Sequence, residues 1–277
     1  MDDPADLPPT RHRATMDARL SPYREHFIQG RRLAYRTAGD EDGEPVVLIH
    51  AFASQSSSWA EVAGALARRG FRVIVPDLRG HGRSAWADSY ALEDFEQDLI
   101  DLLDALQLQR TSLVGHSLGG HLALRLAMRL PERIDRVVIE AAPVPPRDAA
   151  DALLLKAMQA RPSWWRSMQR LGAARVARLW LLRAFDFRSA RTVLPALRSP
   201  MPHWWQGLGR VNTPCLLLAS HNDGAVTQRI GLLSAQLASA STHYLGSGHR
   251  LHTEHAEAFL DVVLPFLTGK APLRAHL

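Results

Sequence analysis

The stretch 111–120, TSLVGHSLGG, constrains the fold more than any other part of this chain. The apolar pair at 113–114 predicts a β-strand, and a helical pattern follows the stretch at once. Gly115 and Gly119 flank Ser117, which indicates a turn too tight for side chains at the two glycine positions. The sequence therefore predicts a strand, a sharp turn and a helix, with the hydroxyl of Ser117 exposed at the turn.

Apolar strand-like runs alternate with helical patterns on both sides of this stretch, as is typical of a mostly parallel sheet covered by helices on both faces. Between about residues 142 and 209 the pattern is helical only, and it is rich in Pro and Trp. We therefore expect an α/β core at 21–142 and 210–270, a helical cap or lid insertion at 143–209, and a loose N-terminal extension at 1–20. A hairpin is predicted at 23–37, and the last helix at 252–267.

The basic charge of the chain is confined to the predicted insertion. Residues 145–210 contain twelve Arg or Lys and three Asp, a net charge of +9, whereas the whole chain carries +5. No nucleic-acid-binding motif accompanies this charge, so we expect no nucleic-acid partner. The remaining framework is slightly acidic.

The length and the cysteine content further limit the class of protein to which this chain can belong. The 277 residues suit one large domain with an insertion. No apolar run approaches the roughly 18 residues that a membrane span requires, so we expect no stable membrane insertion. The N-terminus lacks the apolar core of a signal peptide, and the single cysteine, Cys215, falls in a strand-like run. These features favour a cytoplasmic location.

Two polar loops downstream complement Ser117. Asp223 follows the apolar run 214–219, and His249 follows the last predicted strand. In a parallel sheet, loops beyond the carboxyl ends of the strands meet at one edge. A serine becomes a strong nucleophile only when a base accepts its proton and a third group orients that base. The chain order Ser, Asp, His is that of one known class of triad.

These motifs give the chain a clear family resemblance. Over about residues 23–268 it resembles the α/β-hydrolase superfamily, of the compact capped type. The resemblance rests on five motifs in the family's order: HAF at 50–52, DLRGHGRS at 77–84, GHSLGG at 115–120, SHNDG at 220–224 and GSGH at 246–249.

The resemblance implies roles for five residues. Ser117 would be the nucleophile, His249 the general base and then acid, and Asp223 the acid that orients the base. The oxyanion hole would be formed by the backbone N–H groups of Phe52 and Leu118. The family usually has glycine where this chain has alanine at 51, which bears on the geometry of the Phe52 amide.

The sequence leaves several alternatives open. Glu140 ends the strand before the insertion, where some superfamily members place their acid, so it is the alternative to Asp223. His116 either lines the substrate pocket or packs beside the turn. The rivals of His249 for the role of base are His221, His243, His252 and His255, for which a surface or helix-cap role is expected. No histidine spacing repeats a metal-ligand pattern, so we expect no metal and no cofactor.

Serine rather than aspartate or cysteine at 117 favours acyl transfer. We expect hydrolysis of a hydrophobic carboxylic ester or lactone through an acyl-enzyme, with a small-molecule acyl substrate. The alternatives are an acyl thioesterase and a low-turnover ligand-binding protein on the same fold.

The predicted insertion suggests what the site recognises. It contains five of the seven tryptophans, and four of them are candidates for an apolar acyl pocket or for packing against the core: Trp164, Trp165, Trp204 and Trp205. Its basic residues form either a solvated face or a surface that attracts an acidic carrier protein or a coenzyme A thioester.

Overall fold

A single eight-stranded sheet organises the protein, whose computed structural model describes residues 20–28, 30–158, 172, 177 and 179–270. The strands lie in the spatial order β1-β2-β4-β3-β5-β6-β7-β8. Their bounds are Arg24–Ile28 (β1), Arg31–Ala38 (β2), Glu44–Ile49 (β3), Phe71–Pro76 (β4), Thr111–His116 (β5), Ile134–Glu140 (β6), Cys215–Ala219 (β7) and Ala240–Tyr244 (β8).

The sheet is mostly parallel, as the sequence predicted. β1 and β2 form the expected antiparallel hairpin, with Gly30 at φ 78° in the turn, and β2 pairs antiparallel with β4. From β4 to β8 every neighbouring pair is parallel. The carboxyl ends of β3 and β5 to β8 therefore share one edge, and the loops that follow them meet there.

Helices cover both faces of this sheet. Their bounds are Ala60–Ala67 (α1), Leu92–Ala105 (α2), Leu118–Arg129 (α3), Ala149–Met158 (α4), Ala190–Ala196 (α5), Pro202–Leu208 (α6), Ala225–Ser234 (α7), Leu251–Glu254 (α8) and Ala256–Leu267 (α9). Short 3₁₀ turns lie at Ser56–Trp59 and Phe187–Ser189. The predicted fold class, a parallel sheet between helical layers, is confirmed.

Successive side chains of a strand pack alternately into two separate hydrophobic cores. On β3, Val47 and Ile49 pack with residues of α2 and α3, whereas Val46 and Leu48 pack with residues of α1 and α9. All six residues of β5 are buried. A strand covered on both faces is rich in apolar residues at successive positions, which explains the apolar runs at 46–49 and 113–114 in the sequence.

The last predicted helix, 252–267, is in fact two helices. It breaks at His255, whose φ of −140° and ψ of 48° lie outside the helical range. The ring Nε2 of His255 lies 3.1 Å from the backbone nitrogen of Ser247, in the loop that precedes His249. The break therefore directs the His255 side chain back onto that loop.

The described part of the segment between β6 and β7 contains α4, α5 and α6, and it is tied to the core by a buried ion pair. Arg229 on α7 contacts both carboxylate oxygens of Asp151 on α4 at 2.8 Å, and it also donates to the carbonyls of Val144 and Pro145. Both charged side chains are 5% exposed. This contact fixes the start of the segment beside the carboxyl edge of the sheet.

Within the described ranges, every helix is too short or too polar to cross a lipid bilayer.

Candidate active site

Ser117 occupies the turn between β5 and α3 in a strained conformation. Its φ of 52° and ψ of −114° are disfavoured for any residue with a side chain. A Cβ on Gly115 would overlap the carbonyl of Gly119, and a Cβ on Gly119 would overlap the carbonyl of Ile49. The turn predicted from the sequence therefore requires glycine on both sides of the serine.

Backbone hydrogen bonds hold this strained residue from two directions. The amide of Ser117 donates to the carbonyl of Glu140 at 2.8 Å, and its own carbonyl accepts from the amide of His121 at 3.1 Å. Leu118 begins α3, where the first backbone N–H groups of a helix have no partner within the helix. The serine side chain is thus presented beside unsatisfied backbone donors.

Asp223 and His249 form a close pair across two loops. Asp223 lies between β7 and α7, and His249 lies between β8 and α8. Nδ1 of His249 is 2.5 Å from Oδ2 of Asp223, whose side chain is 2% exposed, whereas that of His249 is 26% exposed. Because the carboxylate accepts, Nδ1 carries the proton and Nε2 is left as the acceptor.

Side-chain hydrogen bonds link the two loops and hold the Asp223 loop to α7. The amide of Gly248 donates to Oδ1 of Asn222 at 2.9 Å. The amide of Asp223 donates to Oγ1 of Thr227 at 2.9 Å, and this hydroxyl donates to the carbonyl of Ser220 at 2.7 Å. The position of the carboxylate relative to the imidazole is therefore fixed by both loops.

Ser117, Asp223 and His249 all line one cavity of about 1600 Å³ at the carboxyl edge of the sheet. In the described part of the chain, Oγ of Ser117 makes no hydrogen bond to the His249 ring, and such bonds are often long before a substrate binds. The lining of this cavity includes an apolar wall, which consists of Leu155, Leu179, Leu182, Phe185, Phe187, Leu194 and Leu197.

Two buried histidines support the loop that follows β3. Nε2 of His50 accepts from the amide of Leu78 at 3.0 Å, and Nε2 of His81 accepts from the amide of Ala53 at 3.1 Å. Burial lowers the pKa of His50 to about 4 and that of His81 to about 3, so both rings are neutral at pH 7. A neutral ring is required for these acceptor roles.

Ala51, the departure from the family motif, does not adopt the conformation that would require glycine. The described non-glycine residues with positive φ include Ala53, at 54°, but not Ala51. The ring of Phe52 packs edge-on against Phe185 with centroids 5.0 Å apart. The backbone strain of this loop therefore lies one residue after Phe52 rather than one residue before it.

Glu140, the alternative acid, contacts a different histidine. Its carboxylate oxygens lie 2.7 and 2.9 Å from Nδ1 of His252, and one of them also accepts from the His252 amide at 3.1 Å. Burial alone would raise the pKa of Glu140, but the rings of His252 and His116 outweigh it and lower this pKa to about 2. His252, which the sequence assigned to the surface or a helix cap, is 1% exposed.

His116, Glu140 and His252 could also be considered as metal ligands, since one donor atom of each lies within 4.8 Å of the others. The sequence spacing did not indicate this group. Glu140 already bonds His252 directly, and Nε2 of His116 bonds the backbone carbonyl of His249 at 2.7 Å. A zinc ion, with bonds of about 2.0–2.2 Å, would have to displace the contact between Glu140 and His252. The arrangement is that of a hydrogen-bonded cluster.

The structure describes two of the four candidate tryptophans, Trp204 and Trp205. Trp164 and Trp165 lie outside the described residues. Trp204 stacks on His121 of α3 with ring centroids 5.2 Å apart, and the indole of Trp205 donates to the carbonyl of Pro145 at 3.1 Å. Neither Trp204 nor Trp205 is among the described residues that line the cavity, whereas His116 is.

Sequence reasoning missed the apolar wall and the pairing of Glu140 with His252. The wall residues come from the segment between β6 and β7, whose packing the sequence did not indicate. The pairing joins residues 112 positions apart, and only the spacing of His252 three residues after His249 hinted at it.

Comparisons with known proteins agree with this architecture. A family model described as alpha/beta hydrolase fold matches residues 44–192. An uncharacterised protein of Mycobacterium tuberculosis is 40% identical over 117 residues, which are 42% of this chain but only 33% of that protein. The match therefore spans about a third of this relative's length.

Two further likenesses extend over most of the chain. An esterase of Escherichia coli (strain K12) is 27% identical over 248 residues, which cover 84% of this chain and 97% of the esterase. The crystal structure of a hydrolase from Pseudomonas aeruginosa PA01 superposes with a TM-score of 0.72 at 26% identity, covering 88% of this chain and 98% of that one. Since the family model matches more than half of the chain, the protein belongs to the alpha/beta hydrolase fold family.

Proposed function

We propose that this protein is a cofactor-independent serine hydrolase that cleaves a hydrophobic carboxylic ester or lactone. The main support is geometric: Asp223 and His249 form a 2.5 Å contact on the edge of the cavity that Ser117 also lines. The likeness to an esterase over 84% of the chain adds to it.

In the proposed mechanism, Oγ of Ser117 attacks the substrate carbonyl while Nε2 of His249 accepts its proton. Asp223 keeps the proton on Nδ1 and stabilises the imidazolium that forms. The backbone N–H groups of Phe52 and Leu118 bind the oxyanion, and each such donor typically contributes about 3 kcal/mol. His249 then protonates the leaving oxygen, and water resolves the acyl-enzyme by the reverse sequence.

The cavity sets the substrate class within this proposal. Its lining includes the apolar wall of leucine and phenylalanine side chains, which favours an aliphatic or aromatic acyl group. At about 1600 Å³ it exceeds the ~300–1,000 Å³ usual for small-ligand sites, so it has room for a medium-length chain.

The test is steady-state hydrolysis of p-nitrophenyl esters of increasing chain length, combined with labelling by a fluorophosphonate. We expect multiple turnovers and one adduct on Ser117 by mass spectrometry, and loss of both in Ser117→Ala. Ser112→Ala, a serine change on β5 just before the turn, is the matched control. Turnover retained in Ser117→Ala would refute the mechanism.

The same assay separates the alternatives. Acyl-coenzyme A substrates cleaved faster than the matching esters would indicate a thioesterase. Labelling of Ser117 without release of more than one equivalent of product from any substrate would indicate a low-turnover binding protein.

A further inference from the structure

Glu140 is bonded both to the residue proposed as nucleophile and to the helix that follows the proposed base. Its backbone carbonyl accepts from the amide of Ser117 at 2.8 Å. Its carboxylate accepts from the amide and from Nδ1 of His252, the second residue of α8. Glu140 is fully buried, so these bonds are not shared with bulk water.

His116 holds the backbone of His249 from the other side. Nε2 of His116 lies 2.7 Å from the carbonyl oxygen of His249. Burial lowers the pKa of His116 to about 3, so the ring is neutral and has a single N–H. Because a carbonyl can only accept, that proton lies on Nε2. The segment 249–252 is thus bonded at its first residue to the end of β5 and at its last residue to the end of β6.

The ring of His252 is also immobilised by stacking. It lies nearly parallel to the indole of Trp59, at 27° and with centroids 4.0 Å apart, and Trp59 is fully buried. The imidazole therefore has one orientation, in which Nδ1 faces Glu140.

We propose that Glu140 and His252 form an accessory positioning pair, which sets the position of His249 relative to Ser117 without contacting substrate. This inference rests on the proposed function, since it assigns the pair to the same triad. Glu140 supports the base through the chain of α8, whereas Asp223 contacts the imidazole itself. Displacements of about 1 Å at a reacting centre can reduce rates about 100-fold.

The first experiment compares Glu140→Gln with Glu96→Gln, the same substitution at another buried carboxylate, which is bonded to Arg125 and Arg129 between α2 and α3. We expect Glu140→Gln to lower kcat about 10- to 100-fold and to change KM less than about twofold. Losses of this size are typical when a residue that orients a functional group through a hydrogen bond is replaced. Glu96→Gln should change melting temperature but not kcat.

The second experiment tests the hydrogen bond itself. The side-chain amide of Asn places an N–H near the position of His Nδ1, whereas Leu offers no donor. We therefore expect His252→Asn to keep most of the wild-type activity and His252→Leu to lose it. Proton NMR in the Ser117→Ala background gives a readout without turnover. There the low-field resonance of the His249 Nδ1 proton should shift or broaden in Glu140→Gln and not in Glu96→Gln.

Two results would overturn the inference. If Glu140→Gln keeps wild-type kcat and resonance, the pair only stabilises the fold. If it loses as much activity as Asp223→Asn, Glu140 acts as the triad acid instead. Failure of the proposed function would look different, since wild-type and Ser117→Ala proteins would then have equal activity.

Discussion

His249 and Asp223 meet where one partner is shielded from water and the other faces the cavity. The Asp223 side chain is 2% exposed and that of His249 is 26% exposed, with 2.5 Å between Oδ2 and Nδ1. The carboxylate is therefore screened from solvent, while part of the imidazole remains exposed at the cavity. This asymmetry suits a base that must exchange protons with a substrate on one side only.

Asp223→Asn should lower kcat by about 10⁴-fold, because an amide can donate to Nδ1 and so stabilise the wrong tautomer of His249. Steady-state kinetics and circular dichroism would show lost turnover in a folded protein. Asp261→Asn, an exposed acid on α9, serves as the control for the change in charge. A loss below tenfold in Asp223→Asn would contradict the assignment.

Ala51→Gly should change kcat less than about twofold, because Ala51 is not among the described residues with positive φ. Ala53 has a φ of 54°, so Ala53→Val should disrupt the loop, since such strain costs about 1–3 kcal/mol. Kinetics and melting temperatures of the two variants test this contrast. A large gain in kcat from Ala51→Gly would show that the methyl group impairs the Phe52 amide.

Acidification should destabilise the protein below about pH 6.5, where unfolded histidines become protonated. Burial lowers the pKa of His121 to about 3, so between these values the unfolded state binds a proton that the folded state does not. Stability therefore rises with pH across this window, by about 1.4 kcal/mol per pH unit for each such histidine.

His121→Phe isolates one of these groups, because phenylalanine can keep the stacking on Trp204 but cannot bind a proton. Urea unfolding from pH 4.5 to 7 measures how the free energy of unfolding depends on pH. In His121→Phe this slope should be shallower than in wild type, by the amount that corresponds to about one bound proton. An unchanged slope would mean that His121 does not titrate differently in the folded and unfolded states.

Trp204→Ala should reduce stability without altering chain-length preference, because Trp204 packs on α3 rather than on the cavity. Loss of a buried tryptophan typically costs about 3–5 kcal/mol. Leu179→Trp, on the apolar wall, should instead shift the preferred p-nitrophenyl ester to a shorter chain. A chain-length shift in Trp204→Ala would place this residue at the pocket after all.

The sequence predicted what local patterns determine. The strand, turn and helix around Ser117 were predicted from two glycines and an apolar run. The parallel sheet was predicted because apolar strand-like runs alternate with helical patterns. The break at His255 was missed because it depends on a contact with Ser247 in another loop. Likewise, Glu140 and His252 became neighbours only through the register of β6 and the placement of α8.

The order of the strands has a consequence for how activity first arises. His116 and His249 are 133 positions apart in the chain, yet they are bonded across the same edge of the sheet. On a ribosome the serine turn emerges well before β8 and the loop that bears His249. In the proposed mechanism, a nascent chain would form the turn while it still lacks its proton acceptor, so that reactivity would begin only after β8 and the loop with His249 had docked. The connectivity of the sheet would in this way leave an incompletely synthesised chain without hydrolytic activity.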